Sequence, residues 1–261
     1  MYLRLRQIAL VARQLEPVER LLTASLGAEV CYRDTGVARY GLHNALWALG
    51  GTFLEVVAPT RADTAAGRYL DRRKGDGGYM FIIDCDDLEA RRAHFRQAGV
   101  RIVEDIHRGD AARWSEALHL HPRDSGGCLL SVDRHSGGVD MQGGYRWAGA
   151  DWQGKARADV RISGAVMQCA DPAATAERWA RLVGRGVSAP DGAGLEIRLD
   201  NALARFVPVS DDRGEGLCAV RLACADPADL MASAQAAGAR IIDAATGTAF
   251  EAGGVRFDLS G

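Results

Sequence analysis

The chain has 261 residues, 48% hydrophobic and 25% charged, with a formal net charge of −2. That balance lacks the basic field that nucleic acid or an anionic membrane surface selects, so neither partner is expected. No apolar run approaches the ~20 residues needed to cross a bilayer, and the length suits one large domain or two of medium size.

The first stretch, MYLRLRQIALVA, interleaves charged and apolar residues and stops at a turn signal. It reads as a strand and not as a signal peptide, which leaves the cytoplasm as the default location. From Gln7 the chain runs QIALVARQLEPVERLLTASLGAEV: an apolar strand, a polar break, a helix ended by Gly27 and a second apolar strand. The same pattern returns in MFIIDCDDLEARRAHFRQAGVRIV from Met80, GAVMQCADPAATAERWARLVGRGV from Gly164 and AVRLACADPADLMASAQAAGARII from Ala219. Leu15, Leu88, Pro172 and Pro227 occupy one place in the four copies, and lie 12, 11, 12 and 11 residues before Gly27, Gly99, Gly184 and Gly238. The alternation indicates that a pair of units was duplicated as a pair.

The helices follow from local chemistry. Val18, Leu21, Leu22 and Leu26 form one apolar face at helical spacing, as do Ala176, Trp179 and Val183. Asp87, Asp171 and Asp226 are expected N-caps, followed in two copies by proline at the first helical position. Turn signals at Gly50-Gly51, Pro122 to Gly127, Asp200-Asn201 and Gly253-Gly254 divide the remainder of each copy into strands. Each unit is therefore read as βαβββ, and the whole as α+β with helices on one face of each sheet. The run Arg72-Arg73-Lys74 reads as a solvated linker.

A βαβββ unit paired twice resembles the vicinal oxygen chelate superfamily, the glyoxalase/bleomycin-resistance/dioxygenase proteins. Two stretches add to the likeness. HPRDSGGCLL is similar to the HPKD-x-GG segment of methylmalonyl-CoA epimerases, and Asn44-Ala45-Leu46-Trp47 through Phe53-Leu54-Glu55 is similar to a hairpin of the glyoxalase-like subfamily. The resemblance implies two glyoxalase-like domains, 1–135 and 158–261, each a pair of βαβββ units, joined by a linker at 136–157. It also implies a divalent metal in a cleft, held by one residue early in the first strand and one in the last strand of each unit.

Counting places those positions at Gln7, Glu55, Met80 and Ser131 in the first pair, and at Gly164, Arg205, Ala219 and Asp258 in the second. Gln7 and Glu55 are competent oxygen ligands. Met80 is a soft thioether, Ser131 a poor neutral ligand, and Arg205 opposes any cation. No cofactor is expected, and a divalent ion only as a weak site centred on Gln7 and Glu55. The two-histidine, one-carboxylate set of an iron dioxygenase is absent from the counted positions. His119 and His121, two apart at a strand end, lack a third ligand and are assigned to surface or turn hydrogen bonding. Cys85, Cys169 and Cys224 share one repeat position where a small buried side chain suffices. Trp114, Trp147 and Trp152 either cover a cleft or pack a domain junction.

Two functional readings remain. In the first, the cleft of the N-terminal domain encloses a small organic molecule without chemistry, lined by Gln7, Ala9, Val11, Asn44, Met80, Ile82 and Ser131. In the second, implied by the resemblance to glyoxalases and epimerases, Glu55 is the base of a lyase, isomerase or epimerase that removes a proton next to a carbonyl or thioester.

Overall fold

The computed structural model of the chain describes residues 2–190, 194–244 and 247–261. Among them, the first sheet is built from β1 (Leu3–Val11), β2 (Leu42–Leu49), β3 (Thr52–Pro59), β4 (Gly77–Cys85), β5 (Ile102–Gly109), β6 (Trp114–Leu120) and β7 (Leu129–His135). The second holds β8 (Val160–Cys169), β9 (Val187–Ser188), β10 (Leu195–Arg198), β11 (Leu203–Pro208), β12 (Gly216–Cys224), β13 (Arg240–Ala244), β14 (Gly247–Ala252) and β15 (Val255–Ser260). Strand orders are β2-β3-β1-β4-β7-β6-β5 and β13-β14-β15-β12-β8-β11-β10-β9. In both, two units meet at antiparallel first strands, β1 with β4 and β8 with β12. This is the paired βαβββ arrangement of a two-domain glyoxalase-like protein, α+β in class.

The repeat helices are α1 (Leu15–Leu26), α3 (Leu88–Gln97), α5 (Pro172–Val183) and α6 (Pro227–Ala236). Asp87, Asp171 and Asp226 cap the last three by accepting backbone N–H groups, which satisfies donors that a helix start leaves open. The apolar faces of α1 and α5 are buried at Val18, Leu22, Leu26, Ala176, Trp179 and Val183. They pack on the convex faces of both sheets in one continuous core that also holds Ile8, Leu10, Phe81 and Phe206, each such side chain contributing roughly 1.5–3 kcal/mol. None of these helices is long and apolar enough to cross a membrane.

Four β-bulges repeat with the units. The ladder of β1 and β4 carries an extra residue at Arg6 and another at Tyr79; the ladder of β8 and β12 carries them at Ser163 and Cys218. Each bulged residue directly precedes one of the counted positions Gln7, Met80, Gly164 and Ala219. A bulge resets which face the following side chains take. After Leu3 and Leu5, the next core residues of β1 are Ile8 and Leu10, so Arg6 and Gln7 both turn away from the helices.

The domains dock reciprocally. The Asp200-Asn201 turn of the second domain seats on the open edge of β1, where Asn201 accepts from Leu5 N and donates to Leu5 O, both at 2.9 Å. The β2–β3 turn of the first domain seats on β8, where Thr52 accepts from Ile162 N at 2.8 Å. A side chain on Gly50 would meet Val160 O at 2.8 Å, so this contact needs glycine.

Three expectations are corrected. The segment after Gly27 forms no strand; it keeps one bridge, Tyr32 to Leu46. The run from Arg72 to Lys74 is no solvated linker: it begins on the last residue of an unanticipated helix, α2 (Ala65–Arg72), and Arg73 is 3% exposed, donating to the carbonyls of Arg213 and Glu215. The turn from Pro122 begins as the short helix α4 (Pro122–Ser125), capped by His121.

Candidate functional site

The concave face of the first sheet gathers the polar residues. Glu55 on β3 stands beside Ala9 of β1 and Leu46 of β2. Its carboxylate accepts from Gln7 Nε2 at 2.7 Å and from Asn44 Nδ2 at 2.6 Å. Both donors are themselves oriented. Gln7 Oε1 accepts from the Tyr145 hydroxyl at 2.7 Å, and Asn44 Oδ1 accepts from Asp34 N at 2.9 Å. Burial of the carboxyl outweighs those donors and pushes its pKa up to about 7.

A second carboxyl faces the same space from β7. Asp133 accepts from Ser131 Oγ and from Trp147 Nε1, the latter at 2.7 Å. Burial raises its pKa to about 6, against those two donors. Ser131 thus supports Asp133 and offers no carboxylate of its own. Beneath them Arg4 donates to both oxygens of Asp84 at 3.1 and 2.8 Å. The fully buried Arg6 lies 5.3 Å from the Phe53 ring and 5.0 Å from that of Tyr145.

Between the carboxyls is a cavity of about 200 Å³ whose walls are mainly apolar, with Leu42, Leu46, Val57, Met80 and Ile82 among them. His119 also lines it, against expectation, with Nδ1 3.3 Å from Glu104 Oε2. That contact, with a hydrogen bond from Tyr40, holds the Glu104 carboxyl at about 2.

Of the expected residues, Gln7, Glu55, Met80 and Ile82 line the cavity, while Asn44 and Ser131 stand behind it as donors to the two carboxyls. Ala9, paired with both Glu55 and Met80, and Val11, packed under α2 with Leu42, Val57, Ala66 and Leu70, are fully buried behind the residues that line the cavity. Asp133, His119 and Tyr145 were not anticipated as site residues, and of the three tryptophans expected either to cover a cleft or to pack a domain junction, Trp147 lines the cavity. Asp133 carried a signal, since it follows Ser131 by two in one strand and so shares its face. The 3₁₀ turn Arg146–Ala148 and the Tyr145 before it lie in the presumed linker, which has no periodicity to read.

The counted positions do not fit a divalent ion. Gln7 has its oxygen occupied by Tyr145 and its nitrogen by Glu55, Met80 is a thioether, and the Ser131 hydroxyl is committed to Asp133. In the second domain Arg205 pairs with Glu196 at 3.0 Å, Asp258 accepts from Arg256 at 2.7 Å, and a side chain on Gly164 would meet Leu203 O at 2.4 Å.

Comparison with known proteins agrees with this architecture. Human mitochondrial methylmalonyl-CoA epimerase is 25% identical over 132 residues, covering 50% of this chain and 73% of that protein. The ethylmalonyl-CoA/methylmalonyl-CoA epimerase of Cereibacter sphaeroides is 24% identical over 131 residues, covering 50% and 97%. Among solved structures, a hypothetical protein from Staphylococcus aureus superposes with a TM-score of 0.68 at 12% identity, over 100% of this chain and 99% of its own. A mutant 4-hydroxymandelate synthase from Streptomyces coelicolor gives 0.71 at 13%, over 94% and 78%. These two show a shared fold alone. The glyoxalase-like domain matches residues 8–183, and the chain belongs to that family.

Proposed function

We propose that the first domain encloses a small organic molecule and exchanges a proton at the carbon next to its carbonyl or thioester, as an isomerase or epimerase does. The observation that carries this reading is the pair of buried carboxyls, Glu55 and Asp133, lining one cavity whose walls are mainly apolar. An acid with a pKa near neutrality is suited to taking and returning a proton. Burial raises Glu55 to about 7 and Asp133 to about 6, which brings both carboxyls into the range where they can exchange a proton near neutral pH. Two such groups from different strands can serve the two directions of a proton exchange. Arg108 on the cavity wall supplies positive charge for a developing enolate. The matched relatives are named as epimerases of methylmalonyl-CoA, which supports an acyl thioester as the ligand to try first.

The test is α-proton exchange. Methylmalonyl-CoA and propionyl-CoA are incubated with the protein in D2O, and deuterium at the α-carbon is followed by mass spectrometry. Enzyme-dependent incorporation, lost in both Glu55→Gln and Asp133→Asn, is the expected result. Binding of either thioester without incorporation would reduce the function to ligand enclosure, the metal-free binding reading that the apolar walls also suit.

A further inference from the structure

We propose that His119, braced by Glu104, handles the second proton of the reaction: it protonates the carbonyl oxygen of the ligand while a carboxyl takes the proton from the neighbouring carbon. The inference rests on the proton-exchange reading of the cavity and adds the residue at the ligand's oxygen end.

One row of the first sheet sets the geometry. Glu104 on β5 pairs with His119 on β6, His119 with Ser131 on β7, Ser131 with Ile82 on β4, and Ile82 with Gln7 on β1. Directly opposed residues share a face. The imidazole therefore lies on the concave side, beside the Ser131 that supports Asp133 and in line with the Gln7 that supports Glu55. It lines the same cavity as both carboxyls. Burial is the main influence on each of them, and a charged imidazole at His119 opposes it in both. The other edge of the ring is braced. Nδ1 is 3.3 Å from Glu104 Oε2, a loose contact of the kind that tightens when a ligand enters. Glu104 also accepts from the Tyr40 hydroxyl and from Arg39, the latter at 3.0 Å. With its pKa at about 2, Glu104 is ionised at neutral pH. Nδ1 therefore keeps a proton toward it, and Nε2 becomes the nitrogen that gains and loses one. No hydrogen bond engages Nε2 among the described residues. Arg108, the guanidinium on the cavity wall, is shared with Asp34 at 3.6 Å and has no proton to give. In the step itself the α C–H bond breaks, its proton passes to a carboxylate, and its electron pair becomes a carbon–carbon double bond. The carbonyl π pair takes the proton from Nε2, which leaves an enol, a neutral imidazole and a protonated carboxyl. The reverse step restores all three.

Two small aromatic probes and one exchange assay test this. Para-nitrophenol carries an acidic hydroxyl on an unsaturated carbon, as an enol does; nitrobenzene is the same skeleton without it. Wild-type protein is expected to bind the phenol on the order of 10-fold more tightly than nitrobenzene. His119→Phe keeps a planar ring and loses both nitrogens. It should lose that advantage while its affinity for nitrobenzene stays unchanged, which also shows that the cavity is intact. His119→Gln retains a hydrogen-bond donor but has no acid–base chemistry. It should keep most of the phenol advantage and yet slow α-proton exchange from methylmalonyl-CoA by about 10²-fold or more. Equal affinity of wild-type protein for the two probes, an advantage that survives in His119→Phe, or exchange at the wild-type rate in His119→Gln overturns the role of His119. The two readings fail separately. Wild-type protein that exchanges no α-proton removes the proton-exchange reading and this assignment with it, whereas exchange that is indifferent to His119 removes the assignment alone.

Discussion

Tyr145 and Gln7, 138 positions apart in the chain, meet through a hydrogen bond of 2.7 Å that fixes which end of the Gln7 amide faces Glu55. The hydroxyl donates to Oε1, so Nε2 is left to donate to the carboxylate. Tyr145 itself is held by a ring stacked on Phe53, with centroids 4.3 Å apart and planes 12° from parallel. In Tyr145→Phe the stack survives and the donor is lost. A buried amide oxygen without its partner costs about 1–3 kcal/mol, which urea unfolding will read. The freed amide no longer offers Nε2 alone to Glu55, and the Glu55 carboxyl should move above about 7 in a carbon-detected NMR titration. A carboxyl that titrates unchanged in a correctly folded variant would show that Tyr145 does not orient Gln7.

Glu55 should also make stability depend on pH in a direction opposite to that of a salt-bridged acid. Its folded pKa, about 7, lies above the model-compound value of 4.5. The unfolded chain therefore gives up the proton first, and stability is full below pH 4.5 and declines as pH rises through about 7. At 1.36 kcal/mol per pH unit the loss is about 3 kcal/mol. Asp133 acts in the same sense between 3.8 and about 6. Wild-type protein should thus lose stability relative to Glu55→Gln between pH 4 and pH 8, by about 3 kcal/mol. Parallel pH–stability curves for the two proteins would contradict the burial of a titrating Glu55.

Much of this site was legible because the repeat could be counted. Four glycines and four helix starts set the frame, and strand alternation then placed Gln7 opposite the helices and Asn44 on the side of Glu55. The alternation holds from Gln7 through Ala9 and Val11, with Ile8 and Leu10 in the core between them, but it does not extend back through the preceding residue. Bulges at Arg6 and Tyr79 break the period of two, and they sit in otherwise ordinary strand sequence. The cover of Val11 by α2 was equally hidden, since DTAAGRYLDRRK carries only a short apolar face at Ala66 and Leu70. Tyr145 and Trp147 reach the site from a segment whose conformation is set by packing on Phe53 and His135 rather than by local preference. Asp133 was readable, but the count from the turn stopped at Ser131.

Ser131 offers a test of the second carboxyl. Its buried hydroxyl donates to Asp133, which favours the ionised form. Ser131→Ala removes that donor and leaves Trp147 as the remaining one. The Asp133 carboxyl should then rise above about 6, and the acidic limb of α-proton exchange should move upward with it. An unmoved acidic limb would take Asp133 out of the exchange step.

The second domain reaches the site through Asn201. Its amide makes a closed pair with the backbone of Leu5, accepting from N–H and donating to C=O at 2.9 Å each. Leu5 is the last residue before the bulge at Arg6, and Gln7 follows that bulge. The turn of one domain therefore pins the backbone whose irregularity aims Gln7 at Glu55 in the other. Asn201→Ala leaves both Leu5 groups unpaired, at about 1–3 kcal/mol each, and should weaken ligand binding in a cleft that it does not touch. Thr52→Val is the reciprocal control. It removes the acceptor for Ile162 N, and that contact lies on β8, next to the bulge at Ser163 in the second domain. The two variants should lose similar stability, whereas Asn201→Ala alone should lower affinity for a probe bound in the first domain. Equal affinity in both would mean that docking stabilises the protein without shaping the Gln7–Glu55 pair, and the second domain's influence on the site would then have to run through another contact.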